Sequence, residues 1–283
     1  MIFGISIINS SGFPYYTKDY VMEPKNIPLK MLFFDYSKKL IQTSRDSQFE
    51  MMAGLISAIF NFSKALNNSI GELVYIKPEF EIENLLDGEE GRCETGTLVT
   101  VKCESYCIKQ AVKTKLDYIY HHVIAPLEPL SDKTRLAPSE EKHIQEILLN
   151  LPAKQLVRSH SRELEKSLTD FIKDNKTYGI QAVSITSEDL LPLKTVGIST
   201  DELQLLLRSL GTVPAVNPLD WKFRQAWTRE NAALTLVLIN SSFNVECNDL
   251  SQPLYYIIIC EENAALGDLP RHLYLQLNEI LYI

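Results

Sequence analysis

The sequence predicts an α+β protein with two domains. Strand-like segments begin at residue 2 and recur through both halves, alternating with stretches in which apolar residues return every three or four positions. The segment 126–137 disfavours helix formation, since it contains Pro126 and Pro129 and is followed by Pro138. We interpret it as a linker. At 283 residues, the chain has the length of two ordinary domains, expected at 1–125 and 138–283.

The first half is predicted to open with a hairpin, in which strand Ile2–Ile8 and a strand at 13–20 flank a turn at 9–12. Further strands are predicted at 31–34, 72–78, 80–86 and 97–103. Ser105 is expected to cap a helix at 105–123. The apolar residues of that helix that should face inward are Ile108, Val112, Leu116, Ile119 and Tyr120.

The segment 49–66 has the clearest helical pattern of the chain. Its large apolar residues recur at spacings of three and four: Phe49, Met52, Leu55, Ile56, Ile59, Phe60, Phe62 and Leu66. On a helical wheel they cover an arc of roughly 180°, wider than the ~100° stripe of a helix that buries one face. We therefore expect part of this helix to bind a partner, with Phe49, Met52, Ile56 and Phe60 as the contact residues.

The second half is predicted to begin with helices, one capped by Ser139 with Glu140 and Glu141 in its first turn, and one at 153–175. Residues 199–202 form a capping box that opens a helix ending at Gly211. Asp268 is expected to cap a last helix. The predicted strands are 179–185, 190–196, 221–228, 233–241 and 254–260, with 243–247 either extending or interrupting the sheet.

The element order ββαβββα of residues 1–125, with the opening hairpin and the helix at 49–66, resembles the longin domain. The order αββαβββα of residues 138–283 is similar to a roadblock domain, or to a second longin-like domain that follows helical linkers. Roadblock proteins usually have a glycine-rich turn between their first two strands, where this chain has Thr186, Ser187, Glu188 and Asp189. The resemblance implies two profilin-like α/β/α domains, each a five-stranded, mainly antiparallel sheet with flanking helices.

Known catalytic motifs are missing from the sequence: it contains no GxxxxGK[ST], GxGxxG, GxSxG or HExxH pattern. The five cysteines lack the paired spacing of a zinc site and are expected to be structural thiols. The histidines, including the adjacent His121 and His122, are expected to be structural or solvent-facing. We therefore predict a non-enzymatic protein with no metal and no cofactor.

The formal net charge of −8 argues against a nucleic-acid partner, because most nucleic-acid-binding proteins present a basic face. No apolar run approaches the roughly 20 residues that span a bilayer, and the N-terminus has no signal-peptide pattern. We expect a cytoplasmic protein with at most peripheral contact with membranes.

Three surface features allow more than one interpretation. Four cations recur at intervals of four: Lys154, Arg158, Arg162 and Lys166. They suit a stripe that faces acidic groups or lipid headgroups, or an ordinary solvated helix face. Seven carboxylates at 79–94 suit a docking surface for a basic partner, a weak cation site or a solvated loop. Trp221, Phe223 and Trp227 share one face of a strand, where core packing is expected and exposure would mark an interface hot spot.

The resemblance implies a non-catalytic protein-interaction platform: a small-GTPase regulator, or an adaptor or exchange-factor subunit in membrane trafficking. Its partners would be a Ras-like small GTPase, another longin or roadblock protein, or a second copy in a homodimer. One alternative is a small-molecule-sensing or enzymatic protein with a ligand site between the domains. Another is a purely structural subunit that folds around a partner chain.

Overall fold

A computed structural model describes residues 1–9, 12–24, 27–36, 70–77, 96–130 and 135–282. They form two five-stranded, mainly antiparallel sheets with flanking helices, which confirms the predicted fold class. By their contacts these residues divide into two compact units: one of 2–105 and 119–141, the other of Met1, 106–118 and 142–283. The domain limits expected from the sequence, 1–125 and 138–283, stay a prediction beside this division.

The first sheet has the strand order β2-β1-β5-β3-β4, and its one parallel pair is β3 with β4. Its strands are β1 Ile2–Ile8, β2 Pro14–Asp19, β3 Leu29–Asp35, β4 Ile70–Ile76 and β5 Leu98–Glu104. The strands expected at 2–8, 13–20, 31–34, 72–78 and 97–103 are thereby confirmed. The strand expected at 80–86 and the helix expected at 49–66 lie outside the described residues.

The second sheet has the order β7-β6-β10-β9-β8, and every pair in it is antiparallel. Its strands are β6 Ile180–Thr186, β7 Pro192–Val196, β8 Trp221–Trp227, β9 Ala233–Cys247 and β10 Leu250–Glu261. The stretch at 243–247 therefore extends β9 rather than interrupting it. The β9–β10 register shifts near Pro253, where the bulge accommodates a proline in a central strand.

Six α-helices are described: α1 Lys109–Ile119, α2 Pro138–Leu148, α3 Leu151–Ser159, α4 Ser161–Asp174, α5 Thr200–Ser209 and α6 Leu269–Leu281. Shorter helical turns lie at Tyr120–Ile124, Ala125–Leu127 and Lys176–Tyr178. The capping box at the start of α5 is confirmed, because Ser199 Oγ accepts a hydrogen bond from the Glu202 N–H at 3.2 Å. The single helix expected at 153–175 is instead two helices that meet at His160.

Two predicted caps are wrong, whereas Asp268 is an N-cap residue as predicted. Residues 105–107 form a turn, so α1 begins at Lys109 and Ser105 is not its cap. α2 begins at Pro138, and Glu140 rather than Ser139 accepts a hydrogen bond from a preceding backbone N–H, that of Ala137. Asp268 lies at the start of α6, but its side chain makes no capping hydrogen bond.

The second sheet is buried on both faces. β10 shows this directly, because Tyr256, Ile258 and Cys260 pack on one face while Tyr255, Ile257 and Ile259 pack on the other. Helices α3, α4 and α6 cover the first face, and α1 with α5 covers the second. Because its central strand has no solvent side, β10 appears in the sequence as a continuous apolar run instead of an alternating one.

Candidate functional site

The interaction helix predicted from the sequence cannot be placed. Phe49, Met52, Ile56 and Phe60 lie outside the described residues, as does most of the acidic segment at 79–94. Their roles as partner-binding residues or as a docking surface therefore stay predictions.

The cationic stripe, which consists of Lys154, Arg158, Arg162 and Lys166, is divided between α3 and α4. All four side chains are exposed, and none forms an ion pair within the described part of the chain. Glu165 of α4 pairs with Lys194 at 2.7 Å and not with a member of the stripe. The helices meet at His160, whose φ of −99° and ψ of 15° are not those of an α-helix. The four cations thus lie on two successive helices, and their role as a binding surface stays a prediction.

β8 is an edge strand that carries two exposed aromatic side chains. Phe223 is 51% exposed and Trp227 is 50% exposed, whereas Trp221 on the same face is partly buried against the core. Core packing was therefore the wrong expectation for Phe223 and Trp227. The reason is their position, because α6 packs on the neighbouring strand β9 and β8 forms the rim of the sheet. We call Phe223 and Trp227 the aromatic edge.

The backbone of β8 offers hydrogen-bonding groups along the same rim. The Thr228 N–H donates to Ala232 C=O, so the even-numbered residues of this antiparallel pair face β9 and the odd-numbered ones face outward. Of the outward N–H groups, that of Trp227 donates to Ser209 Oγ at 2.9 Å and that of Trp221 to Asp220 Oδ1 at 2.8 Å. Within the described ranges, Phe223 and Gln225 present their N–H and C=O groups at an open edge.

A second constellation is a buried ion cluster of Lys115, Asn150, Ser187 and Asp189. Lys115 Nζ lies 3.2 Å from Asp189 Oδ2 and donates to Asn150 Oδ1 at 2.6 Å. Asn150 Nδ2 donates to Asp189 Oδ1 at 3.0 Å, and the Ser187 hydroxyl donates to the same oxygen. The side chains of Lys115 and Asp189 are fully buried. The cluster ties α1, the α2–α3 turn and the β6–β7 turn together within the second unit.

The two carboxyls of the β6–β7 turn have opposite electrostatic environments. Burial alone would raise the pKa of Asp189, but the Lys115 ammonium and the Ser187 hydrogen bond outweigh burial and lower the pKa to about 2. Burial raises the pKa of Glu188 to about 7, and Asp189 adds to this shift while Lys115 opposes it. Sequence reasoning did not identify either residue as part of a site.

Some classes of site have no support in the described residues. Among them, no group of three or more His, Cys, Asp or Glu side chains is arranged to hold a metal ion. His121 and His122 are exposed within the helical turn that follows α1. Cys103, Cys107, Cys247 and Cys260 are buried, as expected for structural thiols. None of the helices in the described ranges is both long and apolar enough to cross a membrane.

No family model, curated protein or solved structure matches this chain. The longin and roadblock resemblance, which rests on element order, therefore stays a prediction.

Proposed function

We propose that this chain is a non-catalytic protein-interaction platform of the small-GTPase-regulating or membrane-trafficking kind, and that the aromatic edge on β8 is one of its binding surfaces. Its partners would be a Ras-like small GTPase, another longin or roadblock protein, or a second copy of this chain. It would act in the cytoplasm, with at most peripheral contact with membranes.

The observation that carries this proposal is the pairing of exposed aromatic side chains with an open strand edge. Soluble proteins usually blunt such edges with lysine, proline or a bulge, because an open edge invites pairing with another chain. On the face of β8 that carries them, Phe223 and Trp227 present apolar surface instead. Tryptophan is over-represented at interface hot spots, and an added strand gains affinity from backbone hydrogen bonds and specificity from side-chain contacts.

A platform of this kind needs no nucleophile or acid–base residue of its own. Nucleotide exchange on a small GTPase is promoted when a partner holds the switch segments in a conformation that weakens nucleotide and Mg²⁺ binding. The absence of catalytic sequence motifs agrees with that role.

The experiment compares Phe223→Lys and Trp227→Lys with wild type in pull-downs against Ras-like GTPases and in solution-mass measurements. We expect the dissociation constant of the partner complex, or of the dimer, to rise at least about tenfold. This is the effect of replacing a hot-spot residue that contributes more than about 1 kcal/mol to binding. Tyr178→Lys is the matched control, because Tyr178 is an equally exposed aromatic residue away from β8. Binding that is unchanged in both β8 variants, with folding intact, would contradict the assignment of this surface.

The predicted helix at 49–66 is tested separately with Ile56→Asp and Phe60→Asp. If these variants remain folded and bind normally while the β8 variants do not, the aromatic edge alone is the platform surface. If they lose binding while the β8 variants keep it, the partner binds the helix instead.

A further inference from the structure

The β6–β7 turn places two carboxylates beside one buried cation. Lys115 pairs directly with Asp189, which also receives hydrogen bonds from Asn150 and Ser187. Glu188 interacts electrostatically with the Lys115 ammonium but forms no ion pair with it. In a low-dielectric interior one cation neutralises one carboxylate, so a second ionised carboxylate there is costly.

Among the described residues, the Gln252 side chain gives the charged form of Glu188 weak hydrogen-bond support, and its effect on the pKa is smaller than those of burial, Lys115 and Asp189. Glu188 Oε2 is buried without a hydrogen bond of normal geometry in the described residues, and so is the adjacent Gln252 Nε2. The Gln252 side chain is itself only 8% exposed. Both residues line a small cavity with Asn150, Ser187 and Cys247. This cavity offers about 10 Å³ to the centre of a water molecule, roughly the space of one water.

The turn that carries Glu188 is held in a conformation that needs support. Leu190 has a φ of 62°, which a leucine rarely adopts, and its side chain is fully buried. Ser187 closes the turn, because its C=O accepts from Leu190 N–H at 2.9 Å and its Oγ accepts from Leu191 N–H at 3.1 Å. A strained, closed turn of this kind persists only while the groups packed around it remain in place.

We propose that Glu188 is a proton-operated latch on the β6–β7 turn. With a proton on its carboxyl, Glu188 remains in the cavity beside Gln252 and the turn is closed. When the proton leaves to solvent, the carboxylate moves out towards water and the turn loosens from the buried ion cluster. This device is independent of the aromatic edge on β8 and would stand if that surface had no partner.

Several titratable or charged groups bear on this equilibrium. Asp189 in the turn, Lys115 on α1 and Tyr255 on β10 interact with Glu188 directly, and Cys247 on β9 lines the same cavity. Lys154 on α3 and the N-terminal ammonium interact with Asp189, and Glu146 on α2 interacts with Cys247. Lys115 favours the carboxylate, and Lys154 acts on the same cluster through Asp189. Asp189 and burial oppose the ionised form of Glu188, and burial has the largest effect on its pKa.

The direction of the pH dependence follows from the raised pKa. Because the folded-state pKa of Glu188 is about 7 against an ordinary value of 4.5, the folded protein holds the proton more tightly than the unfolded chain does. The stability that Glu188 contributes is fully present below about pH 4.5. It is lost as the pH rises to about 7.

The experiment measures Tm between about pH 5 and pH 8 for the full-length protein and for Glu188→Gln, which keeps the side chain neutral at every pH. We expect the Tm of Glu188→Gln minus that of wild type to increase by about 6 °C across this window. At about pH 8, the amides at 190 and 191 should exchange faster in wild type than in Glu188→Gln. Glu230→Gln, an exposed glutamate in the β8–β9 turn, should show the wild-type pH profile.

A second measurement needs no variant. The ¹³C chemical shift of the Glu188 side-chain carboxyl in wild type should titrate with a midpoint near 7. A midpoint near 4.5 would overturn the proposal, even if Glu188→Gln failed to fold. It would also be overturned if Glu188→Gln folded and kept the pH slope of wild type, or if the amides of the turn exchanged equally in the two proteins.

Discussion

Lys115 and Asp189 depend on each other, because each is fully buried and each is the other's main counter-charge. Removing one partner leaves an uncompensated buried charge, whereas removing both leaves none. We therefore expect Lys115→Met and Asp189→Asn each to lower the free energy of unfolding by about 3–5 kcal/mol. The double variant should recover much of that loss. Denaturant unfolding of the four proteins gives the coupling energy directly.

The same helix supplies the control for this prediction. Lys113 and Asp117 on α1 form a partly exposed i,i+4 pair, for which about 0.5 kcal/mol or less is expected when Lys113 is changed to Ala. If the Lys115 and Asp189 variants cost as little as Lys113→Ala, or if their losses simply add in the double variant, the cluster does not act as one unit.

The partners in this cluster could not have been predicted from the sequence. Lys115 lies on the apolar face of its helix, three residues after Val112 and four before Ile119, and lysine is almost never fully buried unless it is paired. Its partners come from two distant turns, around Asn150 and Asp189, so no local spacing marks them. By contrast, the side-chain pattern within each strand was predictable, since alternation correctly placed Trp221, Phe223 and Trp227 on one face.

At the scale of the element, β8 differs from the other strands of its sheet in what covers it. The sequence predicts which residues share a face of this strand, but not whether a helix lies over that face. Helix caps show the same limit: Ser199 makes its capping bond and Asp268 does not, although both are good cap residues by type. The decisive factor is the local backbone geometry, which depends on how each helix is reached by the preceding loop.

The open edge of β8 leads to a prediction that distinguishes its two hydrogen-bonding sides. Proline at 225 removes an outward N–H and leaves the β9 ladder intact, whereas proline at 224 removes an N–H that faces β9. Gln225→Pro should therefore abolish partner binding through the edge with little change in stability. Arg224→Pro should cost about 1–3 kcal/mol more, because a buried carbonyl of β9 loses its donor.

Denaturant unfolding and pull-down of the same two proteins make the comparison. Equal stability of the two variants would mean that the inward and outward sides of β8 are wrongly assigned. Normal partner binding by Gln225→Pro would mean that the partner contacts the aromatic side chains without adding a strand.

At the scale of the whole molecule, the sequence correctly predicts two sheets because each strand carries its own apolar pattern. It does not reveal which sheet an amphipathic helix joins. α1 follows the last strand of the first sheet in the chain, yet Ala111 and Ile108 pack in the core with Leu203 and Leu206 of α5. Periodicity marks a buried face on α1, but the surface that buries it comes from residues far along the chain.

Membership of α1 in the second unit predicts how fragments behave. A fragment of residues 105–283 contains α1, so it keeps Ala111 against the sheet and Lys115 beside Asp189. A fragment of 138–283, the domain expected from the sequence, lacks both. We expect 105–283 to unfold cooperatively and 138–283 to be at least about 3 kcal/mol less stable, since the buried Asp189 has lost its cation and α5 has lost part of its apolar cover.

Urea unfolding followed by circular dichroism measures this difference, and dye binding to exposed apolar surface gives a second readout on 138–283. Ala111→Asp within 105–283 is the matched test, because it leaves the chain length unchanged and places a charge in the contact between α1 and the sheet. Its stability should fall towards that of 138–283. Equal denaturation midpoints for the two fragments would mean that α1 contributes nothing to the second unit, and that the boundary near residue 138 is the better one.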